Sequence, residues 1–313
     1  MKGSARRLRY LLAIATVLVV VAGAYLLGHA NRSADAGAAS PTTSTPVKLS
    51  AFYLDIGASE SLGYQPTGIP GHNGERTNTG YANDLVQREA LKGVALTLEQ
   101  IGCPGDTIQS LLDTSKSDAC YQAPETQLTK AEAYLQAHST DQVLVTIDLG
   151  FNNVRPCMEQ DPVNQTCLEQ GIVDIQHDLP TVLKDLKSSA GPGVHFVGIE
   201  YADPYLGYYV NPSVGPADAT TTLVGMEQLD GVLDRIYASA DVPVADVPGL
   251  FQTDDNAPVN VPNVGTIPTN VAQACELTWF CYTTPFGPDD HPNNAGYSLI
   301  AEAIEAVLPH SWS

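Results

Sequence analysis

Positive charge is scarce in this chain of 313 residues: 15 Lys and Arg stand against 35 Asp and Glu. Five of the basic residues (Lys2, Arg6, Arg7, Arg9, Arg32) and one acid (Asp35) lie before position 41, which leaves 10 basic against 34 acidic residues beyond it. Such a surface repels a phosphate backbone, so nucleic acid is not expected as a partner. It gives no electrostatic reason to dock on anionic lipid either. Close cysteine pairs are also missing. Cys103, Cys120, Cys157, Cys167, Cys275 and Cys281 lack the short spacing of structural zinc sites, so a metal centre is not expected. No internal repeat or heptad occurs, which removes solenoids and coiled coils from consideration.

What is present begins with an export pattern. Lys2, Arg6, Arg7 and Arg9 precede an uncharged apolar run, Tyr10–Gly28, and Ala36-Gly37-Ala38 offers small residues suited to cleavage. The run is long for a signal peptide and reaches the length of a spanning helix. Residues 1–28 therefore read as a signal peptide or an N-terminal membrane anchor, and either places the rest outside the cytoplasm, secreted or held at the outer face of the membrane. Residues 29–47, rich in Ala, Ser, Thr and Pro, read as a flexible tether. Residues 48–313 remain as one domain, expected to be monomeric. An even cysteine count in an exported chain points to disulfides. The sequential set Cys103–Cys120, Cys157–Cys167 and Cys275–Cys281 is preferred because each pair braces one local loop, at about 2–4 kcal/mol apiece.

Apolar runs alternate with amphipathic ones. Strands are expected at Lys48–Ile56, Val94–Ile101, Gln142–Leu149, Val194–Glu200 and Val242–Val247. Helices are expected at Tyr81–Leu91, Leu128–Ala137, Ile172–Leu186 (bent or divided by Pro180), Thr222–Ala238 and Asn294–Val307. Strands separated by helices favour a parallel sheet with right-handed crossovers, buried on both faces. The expected fold class is α/β, a three-layer α/β/α sandwich. Two long irregular stretches, 57–79 and 249–290, remain; loops of that length are often functional.

Ligands of open parallel sheets bind at the carboxyl ends of the strands. Three Gly-containing segments leave strands there: Asp55-Ile56-Gly57-Ala58-Ser59, Gly102-Cys103-Pro104-Gly105 and Gly150-Phe151-Asn152-Asn153. A serine hydroxyl needs a base. Ser59, just past a strand, is the candidate nucleophile, with Ser61 its nearest competitor. His291, before Pro292 and the last helix, is the candidate base, with Asp289 and Asp290 beside it. His29, His72, His138, His177, His195 and His310 have less support. Ester attack leaves an oxyanion, for which Ser59 N–H, Gly105 N–H and Asn152 Nδ2–H are candidate donors.

Four ordered blocks then carry a resemblance: Asp55–Ser61, Cys103–Thr107, Gly150–Asn153, and Asp289–Asn293 followed by Ala295-Gly296-Tyr297, with Tyr201–Leu206 as a further recurring segment. The sequence resembles the SGNH (GDSL-type) hydrolase superfamily, in its exported bacterial lipase and esterase branch. The resemblance implies a flavodoxin-like fold with a five-stranded sheet in the order 2-1-3-4-5. It implies Ser59 as nucleophile, His291 as base, and an oxyanion hole of Ser59, Gly105 and Asn152. It also favours sequential disulfides. Three positions depart from the family pattern: Ala58 and Asn153 replace its usual Asp residues, and Pro288 stands where it places the triad Asp. Asp289 is the first choice for that role and Asp290 the second, with a backbone carbonyl also able to orient the imidazole.

The implied reaction is acyl transfer from an ester through an acyl-serine, with no metal or organic cofactor. The expected function is a serine carboxylester hydrolase acting on lipids or small acyl esters. A polysaccharide O-deacetylase and a catalytically inactive glycan- or lipid-binding module are the alternatives. Tyr205, Tyr208, Tyr209, Trp279 and Phe280 are candidates to line either kind of cleft. An apolar cleft favours lipid, whereas a broad groove of aromatics and carboxylates favours glycan.

Overall fold

The computed structural model describes residues 49–69, 74–113, 115 and 120–309. The export segment 1–28, the tether 29–47, Lys48, and His29, His72 and His310 lie outside the described residues. In chain order the elements are β1 (Leu49–Gly57), α1 (Tyr81–Leu91), β2 (Val94–Gln100), α2 (Ile108–Leu112), α3 (Gln127–Ala137), β3 (Val143–Asp148), α4 (Phe151–Met158), α5 (Gln165–Ser189), β4 (Val194–Ile199), a 3₁₀ helix (Pro204–Val210), α6 (Pro216–Ser239), β5 (Val244–Ala245), α7 (Val247–Leu250), β6 (Pro258–Val261), β7 (Gly265–Pro268), α8 (Thr269–Leu277) and α9 (Asn294–Ala306).

The first five strands form one parallel sheet in the order β2-β1-β3-β4-β5, the order implied by the resemblance. Strand side chains alternate between faces, and here each face buries a separate core. Leu54, Ile56, Val143, Val145 and Ile147 join Leu135, Leu179 and Leu233 of α3, α5 and α6. Ala51, Tyr53, Leu144, Val197 and Ile199 join Leu85, Ile300 and Ile304 of α1 and α9 on the other face. Two buried faces explain why β3 is buried at every position and apolar nearly throughout.

Several boundaries differ from expectation. Helix α5 runs unbroken from Gln165 to Ser189, through Pro180. The fifth strand shrinks from the expected 242–247 to Val244–Ala245, because Pro243 precedes it and Asp246 caps α7 by accepting from Gly249 N (2.8 Å). The stretch read as irregular over 249–290 holds the antiparallel β6–β7 pair and α8, and α2, α4 and the 3₁₀ helix form where no element is expected. The 249–290 region has a small core of its own, where Ile267, Val271 and Ala274 pack on Leu206.

The disulfides in the structure are Cys103–Cys120, Cys157–Cys167 and Cys275–Cys281, with Cα atoms 5.9, 5.5 and 5.0 Å apart. They tie the connection after β2, the junction of α4 with α5, and the exit from α8. Among the described residues no helix is long and apolar enough to cross a membrane; Tyr10–Gly28 lies outside them.

Candidate active site

Strand β1 delivers Ser59 through a turn that only glycine can start. A Cβ on Gly57 would sit 2.8 Å from both the Asp148 carbonyl oxygen and Ser61 Cβ. Buried Gln127 clamps this exit: its Oε1 accepts from Gly57 N (2.8 Å), and its Nε2 donates to Gly57 O (3.0 Å) and Asp106 Oδ2 (2.8 Å). One side chain thereby joins the end of β1 to the turn that carries Gly105. Ser61 is buried and its hydroxyl donates to Ala58 O at 2.7 Å, so the competing serine is committed to the turn itself.

His291 arrives from the opposite end of the sequence. Asn293 caps α9 by accepting from Ala295 N (2.9 Å) and Gly296 N (3.2 Å). Trp279 N donates to His291 O (3.0 Å), pinning the residues just before the helix to the exit of α8. The ring is thus fixed at both ends. Its Nε2 lies 2.8 Å from Ser59 Oγ and its Nδ1 lies 2.8 Å from Asp289 Oδ1. An ionised carboxylate only accepts, so Nδ1 carries the ring proton and Nε2 accepts from the serine hydroxyl. Burial alone lowers the His291 pKa, but the hydrogen bond to Asp289 and the negative charges of Asp290 and Asp289 outweigh it and leave the group raised. Burial raises the Asp289 carboxyl, yet its bond with His291 prevails and holds it below the usual carboxylate range.

Asp290 has a different engagement. Its Oδ1 is 3.6 Å from His291 Nδ1, whereas its Oδ2 meets Arg155 Nε at 2.7 Å and accepts from Tyr205 OH at 3.2 Å. Arg155 also contacts Glu159 (3.0 Å). No sequence signal anticipates the Arg155–Asp290 pair, since nothing in the local pattern links residues so far apart in the chain.

The donor candidates occupy three strand ends. Neither Ser59 N–H nor Gly105 N–H is spent on a hydrogen bond among the described residues. Gly105 has φ +84° and open space where a Cβ would be, so its N–H is sterically unhindered. Asn152, in the first turn of α4, donates from Nδ2 to Asp106 O at 3.1 Å, which fixes the amide with its second proton still available. Asn153 binds α2 instead: it accepts from Ile108 N (3.2 Å) and donates to Gln109 Oε1 (2.7 Å).

Ser59 and His291 stand at the boundary of two spaces. An open cleft of about 770 Å³ is lined by Tyr64, Tyr205, Tyr208, Phe280 and Phe286, together with Gly105, Arg155, Glu159 and Asp289. A more enclosed chamber of about 20 Å³ lies beside the nucleophile turn and Asn152. Tyr205, Tyr208 and Phe280 line the cleft as expected, whereas Tyr209 and Trp279 do not. Tyr209 packs on the small core under β7 and α8. Trp279 donates to Gln65 Oε1 (3.1 Å) and stacks on Phe286 (5.8 Å), behind the cleft wall.

Beneath the turn lies a chain of buried acids and phenols. Tyr81 OH donates to Asp55 Oδ1 (2.8 Å), Thr146 Oγ1 donates to the same oxygen (2.7 Å), and Tyr201 OH donates to Asp148 Oδ1 (2.6 Å). Burial, only partly offset by these donors, pushes Asp55 up to about 8 and Asp148 to about 6. Burial likewise raises Asp203 and Glu200, each to about 7. An unfolded chain releases these protons near pH ~4, so across mildly acidic to neutral pH the folded state binds more protons. The resulting stability is present below the unfolded pKa and is lost as pH rises through the folded one. Thermal unfolding followed by circular dichroism should therefore give a Tm that falls as pH is raised from about 5 to about 8.5. Asp55→Asn, which can still accept from Tyr81 and Thr146, should flatten that slope. A Tm that rises over this range would contradict the assignment.

Asp289, Asp290 and His291 bring possible metal-ligand atoms within 4.8 Å of one another, the sole such cluster among the described residues. The Arg155 cation already sits on Asp290, and His291 faces both its partners through ring nitrogens, so the donor set is a poor fit for a resident cation.

No protein-family model matches the sequence, and no curated protein matches it. Solved structures do. The chain is similar to an extracellular lipase from Streptomyces rimosus (TM-score 0.56, 16% identity, covering 82% of this chain and 100% of that one). It is also similar to phospholipase A1 from Streptomyces albidoflavus NA297 (TM-score 0.53, 16% identity, 82% and 99% covered). At that identity the likeness concerns the fold alone: helices packed on both faces of a parallel sheet ordered 2-1-3-4-5.

Proposed function

We propose, on the premise that this chain has the SGNH hydrolase fold, that it is an exported serine carboxylester hydrolase. The observation that carries the reading is a relay joining two ends of the sequence: Ser59 Oγ to His291 Nε2 at 2.8 Å and His291 Nδ1 to Asp289 at 2.8 Å. Serine, imidazole and carboxylate in this order form an acyl-transfer set whatever scaffold supplies them.

In the proposed cycle, Ser59 Oγ attacks the ester carbonyl carbon while His291 Nε2 takes the hydroxyl proton. The carbon–oxygen π pair moves onto the carbonyl oxygen, which faces Ser59 N–H, Gly105 N–H and Asn152 Nδ2–H. Collapse expels the alcohol, protonated by His291. Water, deprotonated by His291, then attacks the acyl-serine and releases the acid. Asp289 holds the Nδ1 tautomer and stabilises the imidazolium. The likeness to two lipolytic folds, the disulfides and the export pattern together support work outside the cytoplasm, after cleavage of the N-terminal segment or while anchored by it.

Acyl lipids and acylated glycans both suit this chemistry. The mixed aromatic and charged lining of the open cleft favours a polar alcohol portion. A fluorophosphonate probe tests the reading: labelling of Ser59 in the wild type and its loss in His291→Ala are expected. Folded protein that resists the probe would instead support a binding module.

A further inference from the structure

Unpaired positive charge is the anomaly of this acidic chain. Of the ten basic residues beyond position 40, Lys48 and Lys116 lie outside the described residues. Five others are engaged. Arg88 pairs with Asp84 (2.9 Å) and Glu305 (3.2 Å), Lys92 with Glu89 (2.9 Å), and Arg155 with Asp290 (2.7 Å). Lys130 stands over the Tyr121 ring, and Arg76 donates to Gln100 Oε1 (2.8 Å). Lys184, Lys187 and Arg235 remain, and no acid pairs with them among the described residues. All three line one open groove of about 630 Å³ between α5 and α6.

The groove sets those cations around an apolar floor. Pro180, Leu183, Ile236 and Ala240 form the floor, and no acidic residue lines the groove. Its two serines add little polarity, because Ser188 Oγ donates to Lys184 O (2.7 Å) and Ser239 Oγ donates to Arg235 O (2.7 Å), each within its own helix. Lys187 Nζ donates to Ala240 O and so bridges the two helices. A cation at the carbonyl end of a helix also offsets the helix dipole, which accounts for Lys187. Lys184 and Arg235 are different: both are exposed, and their charged ends make no hydrogen bond or ion pair among the described residues.

A ligand that uses all of these features has an apolar body and one anionic end. A peptide strand does not fit, since the groove walls are helices and leave no open ladder to join. A small hydrophilic anion leaves the floor uncovered. The volume falls within the range of about 300–1,000 Å³ usual for small-molecule sites. We propose that the groove between α5 and α6 binds a fatty carboxylate, with its head between Lys184 and Arg235 and its chain on Leu183 and Ile236. The site is remote from the catalytic rim. Helix α5 runs into β4 and α6 into β5, so both helices end at the amino edge of the sheet, opposite the strand ends that carry Ser59 and Asn152. The inference is therefore independent of the hydrolase reading.

The experiment is isothermal titration calorimetry of the exported protein with decanoate, which stays monomeric over the working range. Wild type should bind it saturably. Decanol, which lacks the charge, and butanoate, which lacks most of the chain, should each bind at least about tenfold more weakly. Reversing both free cations, Lys184→Glu with Arg235→Glu, should raise the decanoate Kd by at least about tenfold. Absence of saturable decanoate binding overturns the proposal, as does equal binding of decanol or an unchanged Kd in the reversed-charge variant. Capture of phosphatidylglycerol vesicles that the variant loses, without decanoate binding, gives this face to a membrane and overturns it too. If the reversed-charge variant does not fold, Lys184→Gln with Arg235→Gln decides, because glutamine keeps the stems and removes the charge. Labelling of Ser59 by the fluorophosphonate should be the same in wild type and variant, so failure of the groove proposal leaves the hydrolase reading standing.

Discussion

Replacing Ser59 with Ala is expected to lower kcat for ester hydrolysis by roughly 10⁴- to 10⁶-fold, the range seen when the nucleophile of a serine–histidine set is removed. The loss is large because acyl transfer has no other start here. Ser61, the nearest alternative, is buried with its hydroxyl held by Ala58 O (2.7 Å), and moving it to the cleft would dismantle the turn. The fold should survive. The Ser59 side chain makes one hydrogen bond, to His291, while the turn is built from its backbone: Ser59 O accepts from Leu62 N (3.2 Å) and Tyr64 N (3.1 Å). Burst kinetics and a melting curve on the same preparation separate chemistry from folding. A properly folded Ser59→Ala variant with activity within about tenfold of wild type would remove Ser59 from the mechanism.

The second expectation separates two adjacent acids. Asp289→Asn should reduce kcat by roughly 10²–10⁴-fold, more than Asp290→Asn does. The amide can present N–H where the carboxylate accepted, which favours the wrong imidazole tautomer, and it removes the charge that stabilises the imidazolium. The pH profile carries an independent sign. His291 must be neutral to act as base, so the rate rises with pH through its folded pKa. That pKa is raised by Asp289 and Asp290 in spite of burial, which places the rising limb on the alkaline side of an ordinary histidine. Removing the Asp289 charge and hydrogen bond should shift the limb toward acid. Asp290→Asn removes a charge too and frees Arg155, whose positive charge lowers the His291 pKa, so its limb should also move toward acid and the size of the kcat loss tells the two acids apart. A larger kcat loss in Asp290→Asn than in Asp289→Asn would reverse the assignment.

Much of the sheet was legible because β1, β3 and β4 are apolar in a pattern that only a doubly covered sheet requires. The Gly57 exit and the Asn293 cap are local signals that act over a few residues. Elements with few turns were not legible. The helix α2 is too short for periodicity to register, and α4 carries Pro156 within it. The fifth strand was overextended because Val242 and Val247 look equally suited to a strand, while Asp246 closes it by capping the next helix. Of the candidate cleft aromatics, Tyr209 and Trp279 fall outside the cleft, because an aromatic near a site can face the cleft or the core behind it and composition does not distinguish the two.

The chain's own chemistry determined the acidic balance, the alternation of strands and helices, and the candidate serine and histidine, because charge balance, periodicity and turn residues are properties of neighbours in sequence. Tertiary structure alone decided that Asp289 rather than Asp290 faces the imidazole, that Arg155 takes Asp290, and that Ser59 and His291 border a wide cleft. These depend on distances between atoms that lie far apart along the chain, and such distances exist only once both faces of the sheet are packed.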